Sequence, residues 1–243
     1  KHIDQYATKY GNTILGPDAK IKLFMEKPDP EEIYISSLIE SHELLPIINT
    51  GIYCFKKEIA DLLMDNDLMD FGAEVFPYLL ENKYELYGFV EDYYWMDIGN
   101  PLTYLWANWD MLRLYGWPIQ PAGIRIGQQH LWTHDGKVPE DIDLTKEIAI
   151  GTNFKYGNNC KINALCTIGN NVSIGDNVLL ERCVIWDNVK IGSNCKIINS
   201  IVCNNVEIAD DVSIQSESVI GPNCKISKNI VLDAKTVKAE SNL

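Results

Sequence analysis

The sequence has no excess of positive charge. Its 21 Lys and Arg are outnumbered by 34 Asp and Glu, a formal net charge of −13. That balance argues against a nucleic-acid backbone or an anionic membrane as partner, since both require basic patches. A small anionic substrate stays admissible, because a few local lysines can hold one. No apolar run approaches the length that crosses a bilayer, and the opening Lys1-His2-Ile3-Asp4 is no signal peptide. CxxC pairs and zinc spacings are missing too, and the seven cysteines are an odd count. Together these favour a reduced, cytoplasmic chain. Histidine is scarce: His2, His42, His130 and His134 are the whole complement. What is there is ordinary for a folded chain, with 46% hydrophobic and 23% charged residues over 243 positions, enough for one large or two modest domains.

The second half repeats itself. An aliphatic residue returns about every six positions through Ile150, Tyr156, Ile162, Ile168, Ile174, Leu180, Ile185, Ile191, Ile197, Val202, Ile208, Ile214, Ile220, Ile226 and Leu232. The spacing slips to five only at 180→185 and 197→202. Two places before most of these sits a second, often smaller apolar residue, among them Cys160, Cys166, Val172, Val178, Cys183, Val189, Cys195, Val206, Val212 and Cys224. Between the pairs lies a turn position that is mostly Asn: Asn153, Asn159, Asn171, Asn177, Asn188, Asn194, Asn205 and Asn223. Asn tolerates left-handed backbone angles better than other residues with a side chain, so it suits a corner.

Each hexad therefore reads as one short strand and one corner, with alternate residues pointing inward. Three sides close a triangular coil, and the series makes about five coils. This pattern resembles the hexapeptide-repeat family, which implies a left-handed parallel β-helix over 148–238. The cysteines at the inner positions then read as small core hydrophobes. Hexapeptide acyltransferases and zinc enzymes place histidines on or beside the coils. None lies between Ile148 and Val237, so an assembly or regulatory role for the coil is favoured over catalysis.

Before the coil, strand-like segments at 20–26, 46–55 and 85–90 alternate with helical ones at 56–64, 71–82 and 101–115, an α/β layering. Pro118, Pro121 and Gly123 break the pattern and mark 117–147 as a linker. Three segments stand out: Phe24-Met25-Glu26-Lys27-Pro28, Ile48-Asn49-Thr50-Gly51-Ile52-Tyr53, and Trp95-Met96-Asp97-Ile98-Gly99-Asn100-Pro101 leading into a helix with Tyr104, Ala107 and Asn108. Each has a plain reading. Glu-Lys-Pro is commonly a solvated strand end, Asn-Thr-Gly could be a bulge, and Asp97 could cap its turn.

In this order, with Asp70-Phe71-Gly72 opening a further helix, the segments resemble the nucleotide-sugar pyrophosphorylase family, the sugar-1-phosphate nucleotidyltransferases. That family shows F-x-E-K-P, N-x-G-I-Y, D-F-G-x-x-x-x-P-x-L and W-x-D-I-G-T, and many members append a left-handed β-helix. Asn100 departs from the usual Thr. The resemblance implies a Rossmann-like α/β catalytic part over 1–116 and a reaction joining a sugar 1-phosphate to a nucleoside triphosphate with release of pyrophosphate. It further implies that Lys27 holds the sugar phosphate, that Glu26 accepts hydrogen bonds from sugar hydroxyls, and that Asn49 and the Gly51 backbone line the sugar pocket. Asp97 would be one of two aspartates on Mg²⁺.

The family's Gly-rich loop, which wraps the triphosphate, has no counterpart here. Gly11, Gly16, Gly51, Gly72, Gly88 and Gly99 are the glycines before Gly116, and none forms such a loop. The sequence thus reads as the sugar side of a nucleotidyltransferase without its nucleotide side, expected to be inactive alone. A regulatory relative, such as the pyrophosphorylase-like subunits of a translation-initiation exchange factor, is the alternative, and a hexapeptide acyltransferase a weaker one. Exposed solenoid faces and the linker aromatics Trp117 and Trp132 imply a homo-oligomer.

Overall fold

The structure, a computed structural model, describes residues 7–32, 47–128, 130–140 and 142–243. His2, His42 and the start of the strand expected at 46–55 lie outside the described residues. The chain divides into two compact units, 1–92 and 93–243.

In the first unit, β1 (Asn12–Leu15) is the middle of a three-stranded antiparallel sheet, flanked by β2 (Ile21–Met25) and β3 (Ile47–Ile48). Asn12 faces Met25 on one side and Ile48 on the other, so both outer strands run out at the same end, beside Gly11. The strand expected at 85–90 is reduced to one bridge, Lys20 to Tyr87, supported by Ile21 N–H to Leu86 O at 2.8 Å and Gly88 N–H to Ala19 O at 2.9 Å. Helix α1 (Lys57–Asp65) follows. The helix expected at 71–82 begins instead as a π turn, Phe71–Val75, before continuing as α2 (Phe76–Glu81). Its start is fixed locally: Asp70 Oδ1 accepts the Ala73 N–H at 2.8 Å, and the Glu74 carboxylate accepts those of Met69 and Asp70 at 2.9 and 3.0 Å. Those backbone donors hold the Glu74 carboxyl below its usual range. Phe24, Tyr53, Phe55, Phe71 and Phe76 pack together beneath this end of the sheet, with ring centroids from 4.8 to 6.1 Å apart.

The second unit is a parallel β-solenoid with a helix laid on it. Five coils run from Ile148–Ile150 to Val231–Asp233, and Thr236–Val237 adds one last strand. Every aliphatic position of the series is buried except Tyr156, which is half-buried and stacks on Phe154. The eight corner asparagines all adopt positive φ, between 55° and 59°. They also bond to one another: Asn153 donates to Asn171, Asn171 to Asn188, Asn188 to Asn205 and Asn205 to Asn223, at 2.9 to 3.1 Å. The third corner carries no such ladder. It is made by Leu165, Arg182, Asn199 and Glu217, also at positive φ, and it is where the five-residue spacings fall.

The stretch expected as a linker contributes strands of its own. Leu131–Thr133 pairs in parallel with Ile148–Ile150, and Asp143–Leu144 with Lys161–Ile162, so the first turn of the solenoid starts before the hexad periodicity becomes regular. The strand Ile124–Ile126 joins antiparallel at the same edge.

Helix α3 (Pro101–Leu112) belongs to this unit, not to the first. On one face of the solenoid the outward residues in register are Trp132, Ala149, Thr167, Val184, Ile201 and Val219, nearly all apolar. The second face shows Lys155, Ser173, Lys190, Glu207 and Lys225 at the equivalent places. The apolar row is what α3 covers. Leu105 packs with Val184 and Ile201, Leu112 packs with Trp132 and Leu165, and the Trp186 indole N–H donates to the Tyr104 hydroxyl at 3.1 Å.

Two outcomes follow for stability. Ile174→Asp or Ile191→Asp places an unpaired carboxylate in the solenoid core, at a cost of several kcal/mol, and should abolish the cooperative melt of this unit by circular dichroism. Leu105→Ala, at a fully buried site, should cost about 2–5 kcal/mol in chemical denaturation. Wild-type midpoints would contradict the packing described.

Candidate functional site

The end of the sheet beside Gly11 gathers the sequence-selected residues of the first unit. Glu26 and Lys27 leave β2 there, and Asn49 leaves β3 with its N–H donating to Gly11 O at 2.8 Å. Glu26, Lys27, Asn49 and Gly51 are thus carried by two strands that flank a third, each neighbour separated by about 4.8 Å.

Lys27 adopts φ 44°, left-handed backbone that a residue with a Cβ occupies only at a cost. It also precedes Pro28, a position biased toward extended backbone. Its ammonium stands in solvent, 3.6 Å from the Glu26 carboxylate. Strain of this kind, held by a buried proline on one side and a paired strand on the other, is a reason to look for function at the residue.

Asn49 is oriented by its neighbours. Its Nδ2 donates to the Tyr53 hydroxyl at 2.7 Å, and its Oδ1 accepts the Gly51 N–H at 3.1 Å. This is an Asx turn rather than the bulge the sequence left open. The Gly51 N–H is therefore engaged by Asn49 within the turn. Gly51 sits at φ 75° with open space where a Cβ would be, so the turn needs its conformational freedom, not its small size. Asn49 keeps one N–H and one lone pair for another partner.

Asp97 belongs to the second unit. Its carboxylate lies over Gly99, where a Cβ would come within 3.1 Å of Oδ2. Three residues on, Asn100 caps α3: its side chain accepts the Thr103 N–H at 2.9 Å while Thr103 Oγ1 accepts the Asn100 N–H at 3.2 Å, with Pro101 in the first turn. Asn caps a helix as well as Thr does, which accounts for the departure at this position. Among the described residues no three His, Cys, Asp or Glu side chains gather as a metal site. One carboxylate does not satisfy Mg²⁺, which takes six oxygens in near-octahedral array.

The sequence reading missed a cleft of about 380 Å³ beside α3, lined by Met96, Trp106, Trp109, Asp110, Arg113, Leu165 and Arg182. Its arginines are already matched, Arg113 to Glu147 at 4.0 Å and Arg182 to Glu181 at 2.9 Å. Tyr94 donates its hydroxyl to Asp110 at 3.1 Å, and burial together with that carboxylate pushes the phenol up to about 12. The only signal for this cleft in the sequence is the spacing of Trp106, Asp110 and Arg113 along one helix face.

Comparison with known proteins agrees with the two-part architecture. Residues 2–113 match the family described as "Nucleotidyl transferase", and residues 129–236 match the "EIF2B subunit epsilon LbH domain". The class is a nucleotidyltransferase segment followed by a left-handed β-helix. The chain is 30% identical over 122 residues to a UTP–glucose-1-phosphate uridylyltransferase of Synechocystis, covering 50% of this chain and 29% of that protein. It is 31% identical over 140 residues to a glucose-1-phosphate adenylyltransferase of Thermotoga neapolitana, 55% of this chain and 29% of that one. A mannose-1-phosphate guanylyltransferase of Mycobacterium tuberculosis shares 31% over 112 residues, 45% of this chain and 30% of the relative. The first part of this chain is thus similar to sugar-1-phosphate nucleotidyltransferases that use three different bases. The chain spans under a third of the length of these curated relatives.

The backbone at Lys27 yields a measurable outcome. Lys27→Gly should be more stable than Lys27→Ala by about 1 kcal/mol in chemical denaturation, because only the former relieves the left-handed strain. Equal stability would remove the case for strain at this residue.

Proposed function

We propose that the first unit is the sugar-phosphate side of a nucleotidyltransferase that joins a sugar 1-phosphate to a nucleoside triphosphate and releases pyrophosphate. The observation that carries this reading is the convergence of Glu26, Lys27 and Asn49 at one sheet end, held by strand pairing, an Asx turn and an aromatic cluster. Such a site supplies an ammonium for a phosphate dianion, a carboxylate for sugar hydroxyls and an oriented amide. In-line phosphoryl transfer asks the protein mainly for positioning and charge neutralisation, and these groups do both for one reactant. Lys27, as a compact point charge on a flexible stem, follows the phosphate as it approaches the α-phosphorus.

Asp97 is assigned as one carboxylate for the divalent metal of the reaction, with Mg²⁺ as the finer proposal and the remaining ligands supplied by phosphates and residues other than those described here. The base and the sugar stay open: the relatives named above use three different bases at nearly equal identity. Self-association through the solenoid and a cytoplasmic location complete the proposal. No described helix is long and apolar enough to cross a membrane.

A second reading has its own support. The coil matches a domain described from an exchange-factor subunit, which fits a regulatory protein that keeps a sugar-site remnant. Turnover and binding separate the two. On the first reading, titration calorimetry of the 243-residue chain should show glucose 1-phosphate binding that Lys27→Ala weakens about tenfold or more, consistent with loss of a charge-assisted contact of about 1.5–3 kcal/mol. The chain alone should release no pyrophosphate, since it carries no Gly-rich loop for the triphosphate. Absence of sugar-phosphate binding would favour the regulatory reading.

A further inference from the structure

The Glu26 side chain, 33% exposed, lies against two glycines that come from different parts of the chain. Gly11 opens β1, and Gly72 lies in the π turn. A Cβ placed at Gly72 would overlap Glu26 Oε2 and crowd its Cδ at 2.7 Å and Cγ at 3.1 Å, so its three nearest neighbours are all Glu26 atoms. At Gly11 a Cβ would fall 2.9 Å from Glu26 Oε2 and 2.8 Å from Phe24 Cζ. Neither glycine has a left-handed φ, in contrast to Gly51. Glycine is required at these two places for room, not for conformation.

We propose that Gly72 is a positioning residue for Glu26: its missing side chain leaves the slot that holds the carboxylate at the ligand end of the sheet. This rests on the reading of Glu26 as the acceptor for sugar hydroxyls. A glutamate free in solvent samples many rotamers and must give them up on binding. A carboxylate that rests in the space left by Gly72 has fewer rotamers to give up, so its hydrogen bonds to a ligand cost less to make. Discrimination between a sugar phosphate and bare phosphate should therefore depend on Gly72 as well as on Glu26, while attraction for the phosphate itself stays with Lys27.

Gly72→Ala is a clean probe. The colliding atoms are the far end of a flexible side chain, so Glu26 can swing aside while the backbone stays in place. Alanine is the better helix former, so stability should hold or rise. Gly11→Ala, by contrast, would also press on Phe24 in the aromatic cluster.

The test measures affinity for glucose 1-phosphate and for inorganic phosphate, in the 243-residue chain and in Gly72→Ala, Glu26→Ala and the double variant. Expected is a loss of about tenfold in the ratio of the two affinities for each single variant, with the melting temperature of Gly72→Ala no lower than wild type. Gly72→Ala should add nothing in the Glu26→Ala background, the signature of two residues acting through one group. An unchanged ratio in Gly72→Ala, or effects that add in full, overturns the proposal. If the wild-type chain does not distinguish the two ligands, the sugar-site reading falls and a second measurement decides the slot. The ¹³C resonance of the Glu26 carboxyl should shift in Gly72→Ala as the side chain leaves the slot, and no movement would overturn it.

Discussion

Positive backbone angles at the solenoid corners are the constraint from which the second unit follows. A coil of three short strands closes only if the chain turns sharply at each corner, and the corners here do so at φ near 57°. For most side chains that costs about 1–2 kcal/mol. Asparagine lowers the cost and then recovers more through its amide, which bonds to the asparagine one coil away. With two corners of each coil fixed in this way, the inner residues are forced into stacked register, Ile168 on Ile185 and Val202 on Ile220. The apolar core is then a consequence of the corners as much as their cause.

The same register decides where the rest of the unit can attach. Outward residues also stack, so the character of a face is set by one position in each coil. Val184, Ile201 and Val219 make one face apolar, and α3 covers it. Because Asp97 precedes the Asn100 cap of α3 by three residues, the solenoid fixes the helix that follows the metal-ligand candidate.

Periodicity made the solenoid legible in the sequence down to individual corner residues, because each hexad repeats one physical demand many times. The inward series, the asparagine corners and the buried cysteines all lie where the spacing puts them. Cys183 shows the expected inertness: its contact with Cys166 and full burial raise its thiol well above the usual range. The early turn at Leu131–Thr133 and Asp143–Leu144 was not legible, since one irregular coil has no period. Nor was the attachment of α3. Its signal, a row of apolar residues 17 or 18 apart, is hidden by the stronger six-residue rhythm. In the first unit the structure brings Glu26, Lys27 and Asn49 to one sheet end, a convergence of two strands that the motifs, read singly, do not display. They also could not show that Gly51 serves Asn49, a matter of which hydrogen bond forms inside a turn.

Three glycines of the first unit separate two uses of the residue that sequence motifs run together. Gly51 stands in open space at positive φ, so a side chain there would strain the backbone and meet nothing. Gly11 and Gly72 have unremarkable backbone and no space, so a side chain would displace the Glu26 carboxylate. The distinction bears on which changes a relative could tolerate. At a conformational glycine, Asn is the natural substitute, since it enters the left-handed region most easily. At a spatial glycine nothing larger serves unless the residue that fills the slot changes with it, and here that residue is Glu26. Glu26 and its slot are thus one packing unit, spread over three segments that the sequence keeps more than ten residues apart.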